Sequence, residues 1–95
     1  MYDLSIIIPV YNEQHRLQQT LMKLNSFVKK NKNKIEVIFV NDGSTDLSAK
    51  IIKRYIYENK LNKKKLLFFK LITYSKNIGK GYAVKKGVLN SKYSW

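Results

Sequence analysis

Leu4-Ser5-Ile6-Ile7-Ile8-Pro9-Val10-Tyr11-Asn12-Glu13 is the stretch on which the fold turns. Its first seven residues are almost continuously apolar, as in a parallel strand covered on both faces, and not alternating as in a half-solvated one. Proline cannot donate to a central ladder, so Pro9 must stand at the strand's end. The run then breaks into a polar turn, and from Glu13 to about Lys30 the period becomes helical. Leu17, Leu21, Leu24 and Val28 fall on one stripe, with Arg16, Gln19, Lys23 and Lys30 elsewhere. His15 falls on the first turn of this predicted helix. It reads as a solvated side chain, because no second ligand-type residue stands at metal spacing.

The same unit recurs twice. Ile35 to Val40 and Leu66 to Ile72 or Thr73 are strand-like. They run into Asn41-Asp42-Gly43-Ser44-Thr45-Asp46 and Ser75-Lys76-Asn77-Ile78-Gly79-Lys80-Gly81. After the second run Asp42-Gly43 makes a turn, Ser44 or Thr45 caps a helix, and Asp46 suits the positive end of its dipole. That helix is expected to reach about Asn59, burying Leu47, Ile51, Ile52 and Tyr55 or Ile56. A last helix is expected from about Gly81 to Leu89 or Asn90. The order βαβαβα gives an α/β fold with a three-layer, Rossmann-like parallel sheet of order 3-2-1 and the first two helices on one face. The first strand is then an open edge despite its buried-type sequence. Tyr93-Ser94-Trp95 stands where a fourth strand would begin, so residues 1–95 read as the first part of a larger domain, incomplete at the C-terminus. In such sheets the loops leaving the carboxyl ends of the strands share one edge, where ligands bind. The three polar clusters should converge there.

Composition narrows the function classes. A chain of 95 residues makes one small domain, which buries only roughly 60–65% of its unfolded surface. It has no cysteine, so disulfides and thiolate metal sites are excluded, in keeping with a reducing compartment. No apolar run approaches the roughly 20 residues of a bilayer span, and Met1-Tyr2-Asp3 lacks the basic start of a signal peptide. The expectation is a cytoplasmic chain, or one peripheral at the cytoplasmic face of a membrane. The net charge of +13 invites a polyanion. The lysines gather at Lys29 to Lys34 and Lys60 to Lys65, however, where helices join strands, and heavy use of Lys, Asn, Ile and Tyr is what an AT-rich genome produces. A nucleic-acid binder needs lysines on one face among exposed aromatics. Tyr55, Tyr57, Phe68 and Phe69 read instead as core or near-core, so no nucleic-acid partner is expected.

Each polar cluster has a chemical and a purely architectural reading. Tyr11 offers a ring to stack on a nucleobase, and Asn12 or Glu13 an edge to read it; equally, Asn12 caps a helix and Glu13 is a first-turn acid. The Asp42 carboxylate could accept a ring N–H of uracil or guanine with Gly43 letting the backbone come close, or it could close an Asx-turn. Lys76, Asn77, Gly79, Lys80 and Gly81 combine backbone N–H groups, a positive helix end and a lysine, as a phosphate site does. This loop is neither a P-loop nor a dinucleotide fingerprint, since Val84 stands where the third glycine would fall. Together the clusters describe a base-and-phosphate pocket. No catalytic residue emerges, and no second carboxylate is placed to share a metal with Asp42.

Ser5 to Glu13, Val40 to Asp46 and Asn77-Ile78-Gly79-Lys80-Gly81-Tyr82-Ala83-Val84-Lys85-Lys86-Gly87 resemble, in order and spacing, the family 2 glycosyltransferases of GT-A fold. The third segment is most similar to dolichyl-phosphate and polyprenyl-phosphate sugar transferases. The resemblance implies nucleotide-sugar contacts for Pro9, Tyr11, Glu13 and Asp42, and diphosphate contacts for Lys80 and Asn77. It implies transfer of a hexose from a nucleoside diphosphate, UDP favoured and GDP possible, to an acceptor such as a polyprenyl or dolichyl phosphate at a membrane surface. It also implies Mg²⁺ or Mn²⁺ for the full-length enzyme. The family's metal-binding Asp-x-Asp follows the fourth strand, so it is expected within roughly 10 residues beyond Trp95 of a longer parent. This chain is expected to hold no metal and not to turn over alone. The alternatives are a non-catalytic nucleotide-binding module and, behind it, a basic nucleic-acid-binding protein.

Overall fold

Ile35–Asp42, here β2, is buried along its whole length and forms the middle of a three-stranded parallel sheet. The computed structural model describes residues 3–30, 33–60 and 67–91. Around β2 the chain runs β1 (Leu4–Val10), α1 (Leu17–Lys30), β2, α2 (Ser48–Lys60), β3 (Leu67–Tyr74) and α3 (Lys80–Asn90). The strand order is β1-β2-β3, the βαβαβα arrangement expected from the sequence. Leu66 and Tyr93 to Trp95 lie outside the described residues. No helix among the described residues is long and apolar enough to cross a membrane.

Successive strand residues point to opposite faces, and β2 supplies both layers of core. Val37 and Phe39 pack with Leu17, Leu21 and Leu24 of α1 and Ile52 of α2. Ile38 and Val40 pack on the other face with Ala83 of α3. Tyr55 and Phe69 meet edge-to-face at 5.4 Å between centroids, and both lie against Phe39. The Tyr55 hydroxyl also donates to Asn25 Oδ1 at 2.5 Å, tying α2 to α1. On the opposite face Gly87 lets α3 sit close to the sheet: a Cβ there would lie 2.4 Å from Ile7 Cγ2 and 3.2 Å from Val40 Cγ2.

The register places the functional edge. Val10 pairs with Asn41, and Asp42 pairs with Tyr74, so all three strands end nearly level and their outgoing loops emerge side by side.

Several boundaries and placements differ from the sequence expectation. The first helix starts at Leu17 and not at Glu13. Arg16 and Leu17 both donate their N–H to the Glu13 carbonyl at 2.9 Å, forming a turn that leaves His15 exposed ahead of the helix. The second starts at Ser48, whose N–H donates to Asp46 Oδ1 at 2.9 Å; Ser44 and Thr45 are bonded to Asn12 instead. Leu47 precedes that helix and is 55% exposed, because the late start turns it away from the sheet. Tyr57 is 68% exposed and Phe68 37%, so neither is a core residue, whereas Tyr55 and Phe69 are half-buried as expected.

Candidate functional site

The loops after β1 and β2 are tied by side-chain to backbone hydrogen bonds. Asn12 has φ 47°, in the left-handed region that asparagine tolerates better than most residues. There its Oδ1 accepts the Thr45 N–H at 2.8 Å while its own N–H donates to Ser44 Oγ at 3.0 Å. The Glu13 N–H donates to Ser48 Oγ at 2.9 Å, and the Leu47 N–H donates to Gln14 Oε1 at 2.9 Å. The Gln14 N–H reaches Asp46 Oδ2 at 3.2 Å. Asn41 Oδ1 accepts the Ser44 N–H at 3.1 Å and closes the second loop on itself. Asn12 is therefore a clamp between loops and not a helix cap. These bonds hold Tyr11 and Glu13 at the sheet edge.

Asp42 ties the second loop to the third. Its Oδ1 accepts the Ile78 N–H at 2.9 Å, and its Oδ2 accepts the Gly79 N–H at 2.8 Å and Asn77 Nδ2 at 2.9 Å. Asn77 Nδ2 lies also 3.1 Å from the Asp42 carbonyl. Burial by itself would raise the Asp42 carboxyl. The Ile78 and Gly79 donors, with the Tyr74 hydroxyl alongside, outweigh it and hold the carboxyl below its usual 3.8. The Tyr74 hydroxyl is enclosed without a well-formed hydrogen bond among the described residues, so the backbone donors carry most of that effect. Burial, and after it the Asp42 charge, raises the Tyr74 hydroxyl. Gly43 (φ 72°) is where the two loops touch: a Cβ there would lie 2.4 Å from the Asn77 backbone nitrogen. The sequence reading expected this glycine to admit a ligand, and the backbone it admits is that of the third loop. The Ile78 and Gly79 N–H groups, expected to be open to a phosphate, are bonded to Asp42 instead.

A cleft of about 400 Å³ opens above these loops, within the range of small-ligand sites. It is lined by the six residues named for the nucleotide sugar, Pro9, Tyr11, Glu13, Asp42, Asn77 and Lys80, which come from the three strand ends and the segments that follow them, more than 60 residues apart at their extremes. Val10 and Ala83 complete the lining, and both are buried. Neither side chain carries polar chemistry, and Val10 is the end of the first apolar run in the sequence. Tyr11 is 46% exposed, its ring available to a planar ligand. Glu13 Oε2 lies 3.8 Å from Arg16 Nε, an exposed pair that contributes little to stability. Lys80, exposed at the first turn of α3, is the cation that lines the cleft among the described residues.

Among the described residues no three His, Cys, Asp or Glu side chains gather as a metal site. The two carboxylates of the cleft do not fit one either. Asp42 is engaged by N–H donors and Glu13 faces a guanidinium.

The profile described as "Glycosyl transferase family 2" matches residues 5–95. A dolichyl-phosphate beta-glucosyltransferase of Dictyostelium discoideum is 38% identical over 94 residues, covering 94% of this chain and 27% of that protein. The Saccharomyces cerevisiae protein of the same name is 39% identical over 89 residues, 92% of this chain and 26% of its own length. The Homo sapiens one is 33% identical over 94 residues, 94% and 28% respectively. The chain thus spans about a quarter of the length of the curated relatives it matches.

Proposed function

The chain belongs to glycosyl transferase family 2, and on that premise we propose that its cleft receives the nucleoside diphosphate of a sugar donor. One observation carries the reading: six residues chosen from sequence, at or just beyond the ends of three separate strands, line one cleft at the carboxyl edge of the sheet. The Tyr11 ring stacks on the base, an interaction that tolerates any base. Pro9 and Glu13 border the nucleoside, the carboxylate accepting from a ribose hydroxyl. The Lys80 ammonium, at the positive end of α3, offsets charge on the diphosphate. Asp42 and Asn77 offer the ligand only what their mutual hydrogen bond leaves over. Stacking on one ring does not separate UDP from GDP, and the titration below does.

The complete enzyme, in this reading, transfers a hexose from that donor to a polyprenyl phosphate, and residues 1–95 supply the donor-nucleotide part. The support is the name shared by the three relatives above. A net charge of +13 would draw the chain to an anionic bilayer, where such an acceptor resides. Family 2 enzymes generally use a divalent metal, which stabilises a departing diphosphate as a Lewis acid. The cleft carboxylates do not form its site, so its ligands belong to other parts of the enzyme.

The test is an amide NMR correlation spectrum of the 95-residue chain titrated with UDP and then GDP, each with Mg²⁺. Shifts confined to Tyr11 to Glu13, Asn41 to Gly43 and Asn77 to Gly81 are expected. A dispersed spectrum indifferent to both nucleotides refutes the reading.

A further inference from the structure

We propose that the outer face of α3 is a docking surface for an anionic lipid bilayer, which it meets with lysines set around exposed apolar side chains. The inference deepens the reading of a bilayer-resident acceptor and does not depend on the nucleotide in the cleft. It starts from an asymmetry of charge. All six acids of the chain stand between Asp3 and Glu58, whereas residues 59–95 hold ten lysines and no acid. The second stretch therefore carries +10 of the net charge of +13. Such an imbalance between two parts of one chain is a statement about the surface it meets, not about the fold.

Apolar exposure follows the same stretch. Ile78, Tyr82, Val84, Val88 and Leu89 are five of the eleven large apolar residues that stand exposed among the described residues, and all five fall within twelve residues of chain. The helix explains why. Its buried side consists of Ala83 and Gly87, and the missing Cβ of Gly87 lets the backbone sit against Ile7 and Val40. Lys85 and Leu89 come two residues after these, about 200° round the helix, and so face away from the sheet. Leu89 is 72% exposed, with Tyr82 and Val88 beside it at 39% and 40%. A helix that buries small residues and keeps its large apolar ones outside presents a contact surface on that side.

Bilayer chemistry suits this mixture. Lysine stems lie along apolar surface while their ammonium groups stay among the headgroups, and tyrosine prefers the same depth. Lys76, Lys80 and Lys85 are exposed, and neither α3 nor the loop before it carries an acid to oppose them. The Asp42 carboxylate that bonds this loop is buried. A nucleic-acid duplex would answer the lysines and leave Val88 and Leu89 without an apolar contact, and a second copy would set lysine against lysine. An anionic bilayer answers both. Lys80, on the first turn of the same helix, lines the cleft, so docking through α3 holds the cleft beside the headgroups, where a lipid-borne phosphate lies.

Flotation with phosphatidylcholine vesicles, with and without phosphatidylglycerol, tests the face. Two variants of the 95-residue chain make the same kind of change on opposite sides of the sheet: Lys85→Gln with Leu89→Ser on α3, and Lys53→Gln with Tyr57→Ser on α2. All four side chains are exposed, so both variants should keep the wild-type melting temperature. The wild type is expected to float with the phosphatidylglycerol vesicles and to be released by salt. The α3 variant should bind them roughly tenfold or more weakly, the lysine alone accounting for about fivefold, and the α2 variant should match wild type. Equal losses in the two variants would mean attraction by net charge with no docking face, and overturn the proposal, as would a wild type that ignores both vesicles. Self-association without lipid that the α3 variant abolishes would assign the face to a second copy, and tighter binding to a DNA duplex than to the vesicles would assign it to nucleic acid; either result overturns it. Nucleotide binding is read apart. A chain that floats but takes up no UDP loses the nucleotide reading and keeps this inference, and one that binds UDP but does not float loses only this inference.

Discussion

Replacing Gly43 by alanine should be among the most damaging single-methyl changes available to this chain, because it strains the backbone and forces two loops apart at once. Gly43 has φ 72°, where an L-residue with a Cβ is disfavoured by roughly 1–2 kcal/mol. The added carbon would lie 2.4 Å from Asn77 N and 2.6 Å from Lys76 C, both backbone atoms that cannot rotate aside. Overpacking of this kind costs about 1–3 kcal/mol, for a total of about 2–5 kcal/mol. A domain of 95 residues has a total stability of roughly 5–14 kcal/mol, so the variant spends a large share of it. Gly79→Ala is the control. At φ 127° it is strained as well, but its Cβ meets nothing within 4 Å, so only the conformational cost remains, about 1–3 kcal/mol. Urea unfolding followed by far-ultraviolet circular dichroism gives both numbers. Gly43→Ala must be the more destabilised of the two, and it must also weaken UDP binding through the displaced Asn77 loop. A Gly43→Ala variant within about 0.5 kcal/mol of wild type, the spread of ordinary surface changes, would refute the close approach of the second and third loops.

Three further outcomes follow from the same geometry. Tyr11→Ala should weaken UDP binding by about 1–3 kcal/mol, the value of one base–aromatic stack, and leave pyrophosphate binding unchanged; isothermal titration with both ligands reads the difference. Lys80→Ala should weaken UDP and pyrophosphate alike, with a melting temperature close to wild type because the side chain is exposed, and the loss should shrink as salt is raised. Acid should unfold the chain through Asp42 and Asp46, both held below their usual 3.8: burial raises each carboxyl, but N–H donors to Asp42, and Ser48 and Gln14 donors to Asp46, lower them further. Groups lowered in the folded state contribute stability that is complete above their unfolded value and lost as pH falls through the folded one. Stability should therefore be flat through neutral pH and fall below pH 3.8, and Asp46→Asn should flatten part of that slope in unfolding curves taken as a function of pH.

The sheet and the cleft were legible in the sequence because each rests on a local signal with one physical meaning. Near-continuous apolar runs at Leu4 to Val10 and Ile35 to Val40 mark parallel strands; the second is buried along its length, while the first, at the sheet edge, is only partly buried up to Pro9. Level strand ends then bring the following residues together whatever their chemistry. The helix starts were not legible, because they are decided between loops. Asn12, Gln14, Ser44, Asp46 and Ser48 all carry cap or turn chemistry, and a sequence read locally lets each serve its own helix. In the fold they serve one another: Asn12 takes the Thr45 N–H and Gln14 takes the Leu47 N–H. Glu13 donates its N–H to Ser48 Oγ. With those groups committed across loops, α1 and α2 begin later than periodicity indicates, at Leu17 and Ser48, and Leu47 is left outside the core.

The same competition explains why Asp42 read equally well as a base acceptor and as a turn. Both readings asked which single partner its carboxylate takes, and both looked for that partner nearby or in a ligand. The partners are Asn77, Ile78 and Gly79, 35 to 37 residues away along the chain. A buried anion with three internal donors ties the second loop to the third, a role that neither loop read by itself displays. Asp42→Asn replaces one acceptor oxygen by an NH₂ that meets N–H donors, so the variant should unfold at lower urea than wild type. An unchanged urea midpoint would refute the tie between the two loops.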